Sequence, residues 1–370
     1  MKFKNQVEFN TSLKEALAGN RIEQARLKEA ITSDQLAPMF IRAADVRFQE
    51  AYEAYETIWS RIAEKFLLND FRKASLLTLK QDLSDGEVNG GMKTPFGTLP
   101  KVPELTPYPA LKYTADGAFV TTDKHGARLQ FSFEAFINDD WNLIERFPKD
   151  AGELAARTED LLVLLQLFDT NLSGLRADVF TDDNQTKIDL TKVPDDLKGS
   201  ATGAAGAVPL SFDAVVAARH QAIATIRDGR PTYVPNGFIL VTNPALAEVA
   251  KGYARISEVR VTNGRRTEIQ ANPLADLEVV TSDLIVGTKS WVLVPKGGKA
   301  GSKSVLVKTG MRGREAPELR VHNATGQLLG GGSVDYREGS FDNDDAEIRV
   351  RQIAGAGLVN YDGIIGSNGA

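Results

Sequence analysis

The chain has 370 residues, 42% of them hydrophobic and 25% charged, which is enough for a sizeable core and for two or three lobes. A net charge of -5 disfavours a dedicated nucleic-acid binder, which would carry a basic excess, but leaves room for a container of nucleic acid. Cysteine is absent, so disulfides and thiolate metal sites are excluded, and an intracellular origin fits. Met1 to Asn20 alternates in charge and has no secretory pattern. No segment reaches the ~20 consecutive apolar residues of a membrane span, and no repeat of fixed period is found.

The first forty or so residues read as a charged arm. Leu13, Leu17, Ile22, Leu27 and Ile31 make one thin apolar stripe, interrupted by Gly19-Asn20. An arm of this kind needs a partner surface or stays a mobile terminus. Helical spacing of Val46, Tyr52, Tyr55, Ile58, Trp59 and Ile62 predicts a helix from Ala43 to Leu68, ended by Asn69-Asp70. Phe71 to Leu79 reads as a strand. From Ser84 to Pro109 the chain carries Gly86, Gly90, Gly91 and Gly97 with Pro95, Pro100, Pro103, Pro107 and Pro109, and little that could form its own core. Strand-like runs follow at Leu111 to Tyr113 and Ala127 to Ile137. The whole reads as a long two-stranded arm with a Pro/Gly-rich tip. About 25 residues at ~3.3 Å each extend ~80 Å, whereas a compact chain of this length has a radius of gyration of about 21 Å. A large surface loop with a short hairpin fits the same pattern.

Asn138-Asp139-Asp140 closes this arm with turn chemistry. Pro148 then stands where helices begin, and Lys149 to Phe168 is the strongest helical pattern, a packing spine through Leu154, Leu161, Leu162, Leu164, Leu165, Leu167 and Phe168. Ala201 to Ala207 reads as a flexible link. Ser211 is placed to cap a helix from Phe212 to Arg227. Phe238 to Thr242 reads as a buried strand, and Asn243-Pro244 opens a helix through Lys251. Leu277 to Ile285, Trp291 to Pro295, Glu347 to Ile353 and Leu358 to Ile365 read as strands.

Catalytic chemistry is not found. His125, His220 and His322 lack metal-ligand spacing, and the nucleophile-elbow pattern is missing. Lys296-Gly-Gly-Lys-Ala-Gly-Ser-Lys303 imitates a phosphate loop, but its spacing fails and a solvated turn fits better. Gly330-Gly331-Gly332 reads as a hinge or turn. Asp182-Asp183-Asn184 and Asp342-Asn343-Asp344-Asp345 are acidic clusters best read as solvated turns; the first lacks the glycine and closing glutamate of a calcium loop. No catalytic, metal or cofactor-binding residue is assigned, and no cofactor is expected.

The order of parts resembles the Hong Kong 97-type major capsid proteins of tailed bacteriophages. The likeness runs roughly from Ala43 to Ala370 and rests on an ordered set of passages: Asp70-Phe71-Arg72; Phe136-Ile-Asn-Asp-Asp140 with Phe147-Pro148 and Ala155-Ala-Arg157; Arg230-Pro-Thr-Tyr-Val-Pro235 with Phe238 to Val241 and Asn243 to Ala247. Glu315-Ala-Pro-Glu318, Glu347 to Arg351 and Tyr361-Asp362-Gly363 through Ala370 are similar to the Mu-type branch. The resemblance implies an α+β fold with an N-terminal arm (1–42), a helix (43–73) leading to an extended β-hairpin loop (74–137), a peripheral domain with the spine helix (138–204), an α/β axial domain (205–335) and a return to the peripheral domain (336–370). It also implies a non-enzymatic virion protein, assembled in the host bacterial cytoplasm. Its copies would form the hexamers and pentamers of an icosahedral head around double-stranded DNA, without sequence-specific contacts and without a membrane.

Scaffold, portal and decoration proteins are the implied partners. A long acidic N-terminal scaffolding region is missing, so the resemblance implies a separate scaffold or assembly on the arm; a protease-like segment is missing too. Some relatives crosslink a loop lysine; Lys80, Lys93 and Lys101 lie in the loop, but nothing identifies a partner. Phe96, Leu99 and Tyr108 are the candidate inter-subunit contacts. The rival readings are an encapsulin-type nanocompartment shell and an α/β enzyme of unknown activity.

Overall fold

The computed structural model describes residues 36–81, 104, 113–132, 141–227, 230–231, 234, 237–263, 266–296, 305–321 and 345–369. Helix α1 (Leu36–Ala54) buries Ala44, Phe48 and Ala51, a stripe at helical spacing. It stops at Ala54, so the single helix expected from Ala43 to Leu68 does not form. A one-turn helix, α2 (Trp59–Ile62), and strand β1 (Glu64–Leu68) take up the remainder. The break has a tertiary cause. Asp160 Oδ1 accepts the backbone N–H groups of Ile58 and Trp59 at 2.8 and 2.9 Å, which starts a new turn.

Strands β2 (Ala74–Gln81) and β3 (Tyr113–Val120) pair antiparallel as a two-stranded ribbon, Ala74 opposite Val120 and Gln81 opposite Tyr113. Strand β4 (Asp123–Ser132) follows. The spine helix α3 (Trp141–Leu164) starts before the expected Lys149 and carries Pro148 in its interior, not at its first turn. A short 3-10 turn (Leu190–Lys192) and a one-turn helix, α4 (Asp195–Lys198), lead to α5 (Phe212–Ala224). Ser211 Oγ caps α5 by accepting the Ala214 N–H at 3.1 Å, as expected. The two-residue strands β5 (Ile226–Arg227) and β6 (Arg230–Pro231) precede β7 (Phe238–Thr242). Helix α6 (Pro244–Arg255) is capped by Asn243 Oδ1 on the Leu246 N–H at 3.1 Å. The remaining strands are β8 (Glu258–Asn263), β9 (Arg266–Ala271), β10 (Glu278–Thr281), β11 (Trp291–Pro295), β12 (Leu306–Met311), β13 (Glu318–Val321), β14 (Asp345–Leu358) and β15 (Ile365–Ser367). Of the strand expected from Leu358 to Ile365 only the two ends are strand: Leu358 closes β14 and Ile365 opens β15, with a turn between them.

The described residues form two compact units, mixed α+β in content. One comprises those within 36–56, 124–158 and 313–353. There β13 runs antiparallel to β14, Leu319 opposite Val350, and β4 also pairs with β14. Leu319 and Val350 pack on Phe48, Ala151 and Ala155. Gly152 lets α1 and α3 approach closely, because a Cβ there would fall on the Phe48 carbonyl oxygen.

The second unit comprises the described residues within 57–123, 159–312 and 354–369. Its centre is a four-stranded sheet in the order β10-β7-β11-β15. All five residues of β7 and of β11 are buried. Their side chains alternate between two cores. Ile239, Val241, Val292 and Val294 join Val163, Leu164, Leu167 and Phe168, while Phe238, Leu240, Trp291 and Leu293 join Ala214, Val215, Ala218 and Ala250. A sheet covered on both faces shows as a continuous apolar run, which is how these strands read in the sequence. The Ala201–Ala207 stretch is not a free link. Gly206 donates its N–H to Ile188 O at 2.8 Å and accepts the Asn368 N–H at 2.9 Å.

Burial pushes the Asp160 carboxyl above its ordinary 3.8; the Trp59 and Ile58 N–H groups oppose the rise, and the charges of Glu159 and Asp283 add to it. A carboxyl raised in the fold binds its proton more tightly folded than unfolded. Its stabilisation is therefore complete below 3.8 and is lost as pH rises through the raised value. Asp160→Asn keeps an acceptor for both N–H groups and is expected to abolish that loss. Asp160→Ala removes both the acceptor and the titrating group, so its cost, about 1–2 kcal/mol at low pH, is expected to shrink as pH rises. Urea unfolding across the acid-to-neutral range checks both.

Candidate functional site

Helix α3 carries two adjacent carboxylates, Glu159 and Asp160, into the core of the second unit. Lys308 on β12 meets Glu159 Oε1 at 2.5 Å, with side-chain exposures of 5% and 1%. Its Nζ also lies 4.6 Å from the centre of the Trp59 ring. Trp59 Nε1 and Asp160 Oδ2 are buried with no hydrogen-bond partner among the described residues. Glu159, Asp160 and Lys308 are buried and Trp59 is half-buried; the group ties α2, α3 and β12 together. Among the described residues no cluster of His, Cys, Asp and Glu could hold a metal ion.

The structure commits Asp182-Asp183-Asn184 to a local turn. Thr181 Oγ1 accepts the Asn184 N–H at 3.0 Å, the Asn184 amide donates to Val179 O at 3.1 Å, and Asp182 pairs with Lys187 at 3.6 Å. His125 lies on β4 and His220 on α5, apart in the chain and in different units. Phe96, Leu99 and Tyr108 lie outside the described residues. So do His322, the Gly/Lys turn from Gly297 to Lys303, Gly330 to Gly332, and Asp342 to Asp344.

What the structure presents instead are surfaces. The β2–β3 ribbon pairs with no third strand among the described residues. Its base is anchored through Leu76 and Val120 to Leu68 and Val307. Phe119, across from Ser75, is 69% exposed, and Phe71 just before the ribbon is 47% exposed. The antiparallel hairpin β8–β9 also forms a sheet of its own, and its Ile269 is 62% exposed. This hairpin was missed in the sequence. Its signal was Asn263-Gly264 between the alternating Val259, Val261 and Ile269.

In the first unit the sheet face opposite the Leu319–Val350 side is charged. Arg128 pairs with Glu347 at 3.2 Å, and Glu318 accepts from Arg351 at 2.7 Å and from Arg320 at 2.6 Å. Burial pushes the Glu318 carboxyl up, but the hydrogen bonds and charges of the two arginines outweigh it and hold it below its ordinary range.

A family model described as phage capsid protein matches residues 116–367. The chain belongs to the phage capsid protein family. Its role is therefore structural, in a phage virion. No curated protein matches the sequence. Among solved structures the chain is similar to one from Mycobacterium phage Patience, with a TM-score of 0.47 and 11% identity over 89% of this chain and 86% of that one. It is also similar to the asymmetric unit of the bacteriophage PhiM1 mature capsid, with a TM-score of 0.45 and 12% identity over 85% and 88%. A virus-like particle from Pyrococcus furiosus gives a TM-score of 0.42 and 11% identity over 89% and 99%. Among the described residues of this capsid-family chain, no helix is long and apolar enough to cross a membrane.

Lys308→Met leaves the Glu159 carboxylate buried without its cation and is expected to cost about 3–5 kcal/mol. Pairing it with Glu159→Leu is expected to recover most of that loss. Denaturant unfolding of the four members of this cycle reads the outcome.

Proposed function

We propose that this chain is the major capsid protein of a tailed phage, of the Hong Kong 97-type fold and its Mu-type branch. Copies assemble as hexamers and pentamers into an icosahedral head around double-stranded DNA, in the host cytoplasm. The subunit carries out no reaction. A separate scaffold protein, a portal and a decoration protein are its partners, and DNA is held without sequence-specific contacts. The family match over residues 116–367 carries this reading. The β2–β3 ribbon supports it. A two-stranded ribbon is marginal in water, and permanent interfaces commonly bury ~2,000 Å² or more. A loop continuing from that ribbon onto a neighbour supplies such area. Within this reading the domains run as 1–42 arm, 43–73 helix, 74–137 extended loop, 138–204 peripheral domain, 205–335 axial domain and 336–370 peripheral return. Phe96, Leu99 and Tyr108 are its inter-subunit contacts.

Electron microscopy of the expressed full chain, with and without a scaffold protein, is expected to show rings or closed shells. A chain that stays monomeric under both conditions overturns the reading, and shells that carry only protein cargo overturn its DNA part. Phe96→Asp is expected to lower shell yield more than subunit folding; normal shells from that variant refute the anchor role.

A further inference from the structure

Helix α1 buries Ala44, Phe48 and Ala51, and the spacing of that stripe does not stop where the helix does. Tyr55, Ile58 and Ile62 carry it on at intervals of four, three and four residues. No glycine or proline lies between Ala54 and Leu68, so nothing in the local sequence ends a helix at Ala54. Ile58, the residue before α2, already has helical backbone angles, φ −77° and ψ −37°. Only Tyr55, Glu56 and Thr57 then stand between two stretches of helical backbone.

The hydrogen bonds balance between the broken and the continuous form. Helix α2 has no side-chain cap of its own next to it in the chain. The Ile58 and Trp59 N–H groups go instead to Asp160 Oδ1, at 2.8 and 2.9 Å. In a continuous helix the same two groups meet the carbonyl oxygens of Ala54 and Tyr55. The broken form carries a penalty of its own, since Trp59 Nε1 and Asp160 Oδ2 are buried without a hydrogen-bond partner among the described residues. Pairing of β1 with β12 begins at Glu64, beyond this segment, so the strand register does not choose between the forms. We propose that residues 55–58 are a conformational switch, held broken by Asp160, which closes into one helix from Leu36 to Ile62 when that carboxyl is withdrawn. The switch sets how α1 is joined to β1 and so to the ribbon that follows. It does not depend on the shell reading above.

Hydrogen exchange of single amides in the full chain tests it. Asp160→Ala is expected to leave the Ile58 and Trp59 amides within about threefold of their wild-type exchange rates, because the helix takes over both groups. Thr57→Pro forbids the continuous helix and stands outside α2. It is expected to leave the same amides equally slow, because Asp160 still holds them. The chain with both substitutions is expected to exchange them at least about tenfold faster than either single variant. Asp160→Leu, which has the branching of the carboxylate without its acceptors, repeats the cycle if the alanine variant does not fold. Fast exchange in the Asp160 variant alone overturns the proposal, because no helix then replaces the carboxyl. Fast exchange in Thr57→Pro alone overturns it too, because Asp160 is then not what holds the break. Slow exchange in the combined chain overturns it because a third partner protects the amides. If neither Asp160 variant folds, the proposal fails as well, since the alternative helix cannot stand in for the lost acceptor.

Discussion

The constraint on which the rest of the second unit depends is that its central sheet is apolar on both faces. Strands β7 and β11 each bury five consecutive residues. Each large apolar side chain so buried is worth about 1.5–3 kcal/mol, but only if both faces are covered. One cover comes from the end of α3 and the turn after it, with Val163, Leu164, Leu167 and Phe168. The other comes from α5, whose alanines let it lie close, and from Ala250 of α6. The caps at Ser211 and Asn243 matter because they start these covering helices where the sheet needs them.

Close approach recurs elsewhere and accounts for the small residues. In β14, a Cβ at Gly355 would fall on the Thr121 carbonyl oxygen, and one at Gly357 on the Val120 side chain. β12 lies against that part of β14, with Thr309 opposite Gly355, and sends Lys308 to Glu159. Burying an ion pair there adds little net stability over an apolar pair of the same size. Once one partner is present, the other is required, so the pair fixes which part of α3 meets which part of β12.

What the sequence made legible follows from how local each cause is. Trp291 to Pro295 and Phe238 to Thr242 were readable because a strand buried on both faces is an unbroken apolar run. The starts of α5 and α6 were readable because a cap is set by residues within one turn. The break between α1 and β1 was not, because its cause is Asp160, about a hundred residues away. Phe66, Leu67 and Leu68 suit a helix as well as a strand, and pairing with Thr309 to Met311 decides. Pro148 misled in the opposite way: it marks a helix start by propensity, yet α3 runs through it. The β8–β9 hairpin was lost to a short signal. Of the exposed surfaces, the ribbon was visible through the strand-like runs flanking the Pro/Gly-rich tract. The charged face of β4, β13 and β14 was not, because its residues converge only when three distant strands pair.

Strand β15 holds a distant stretch to the sheet. β15 occupies the edge of the central sheet beside β11, Trp291 opposite Ser367. Ser367 Oγ accepts the Val208 N–H and donates to Val208 O, and Asn368 Oδ1 takes the Leu175 N–H. Because the same two residues serve the strand and that stretch, the two hold or release together, as one cooperative unit in any local opening of the fold.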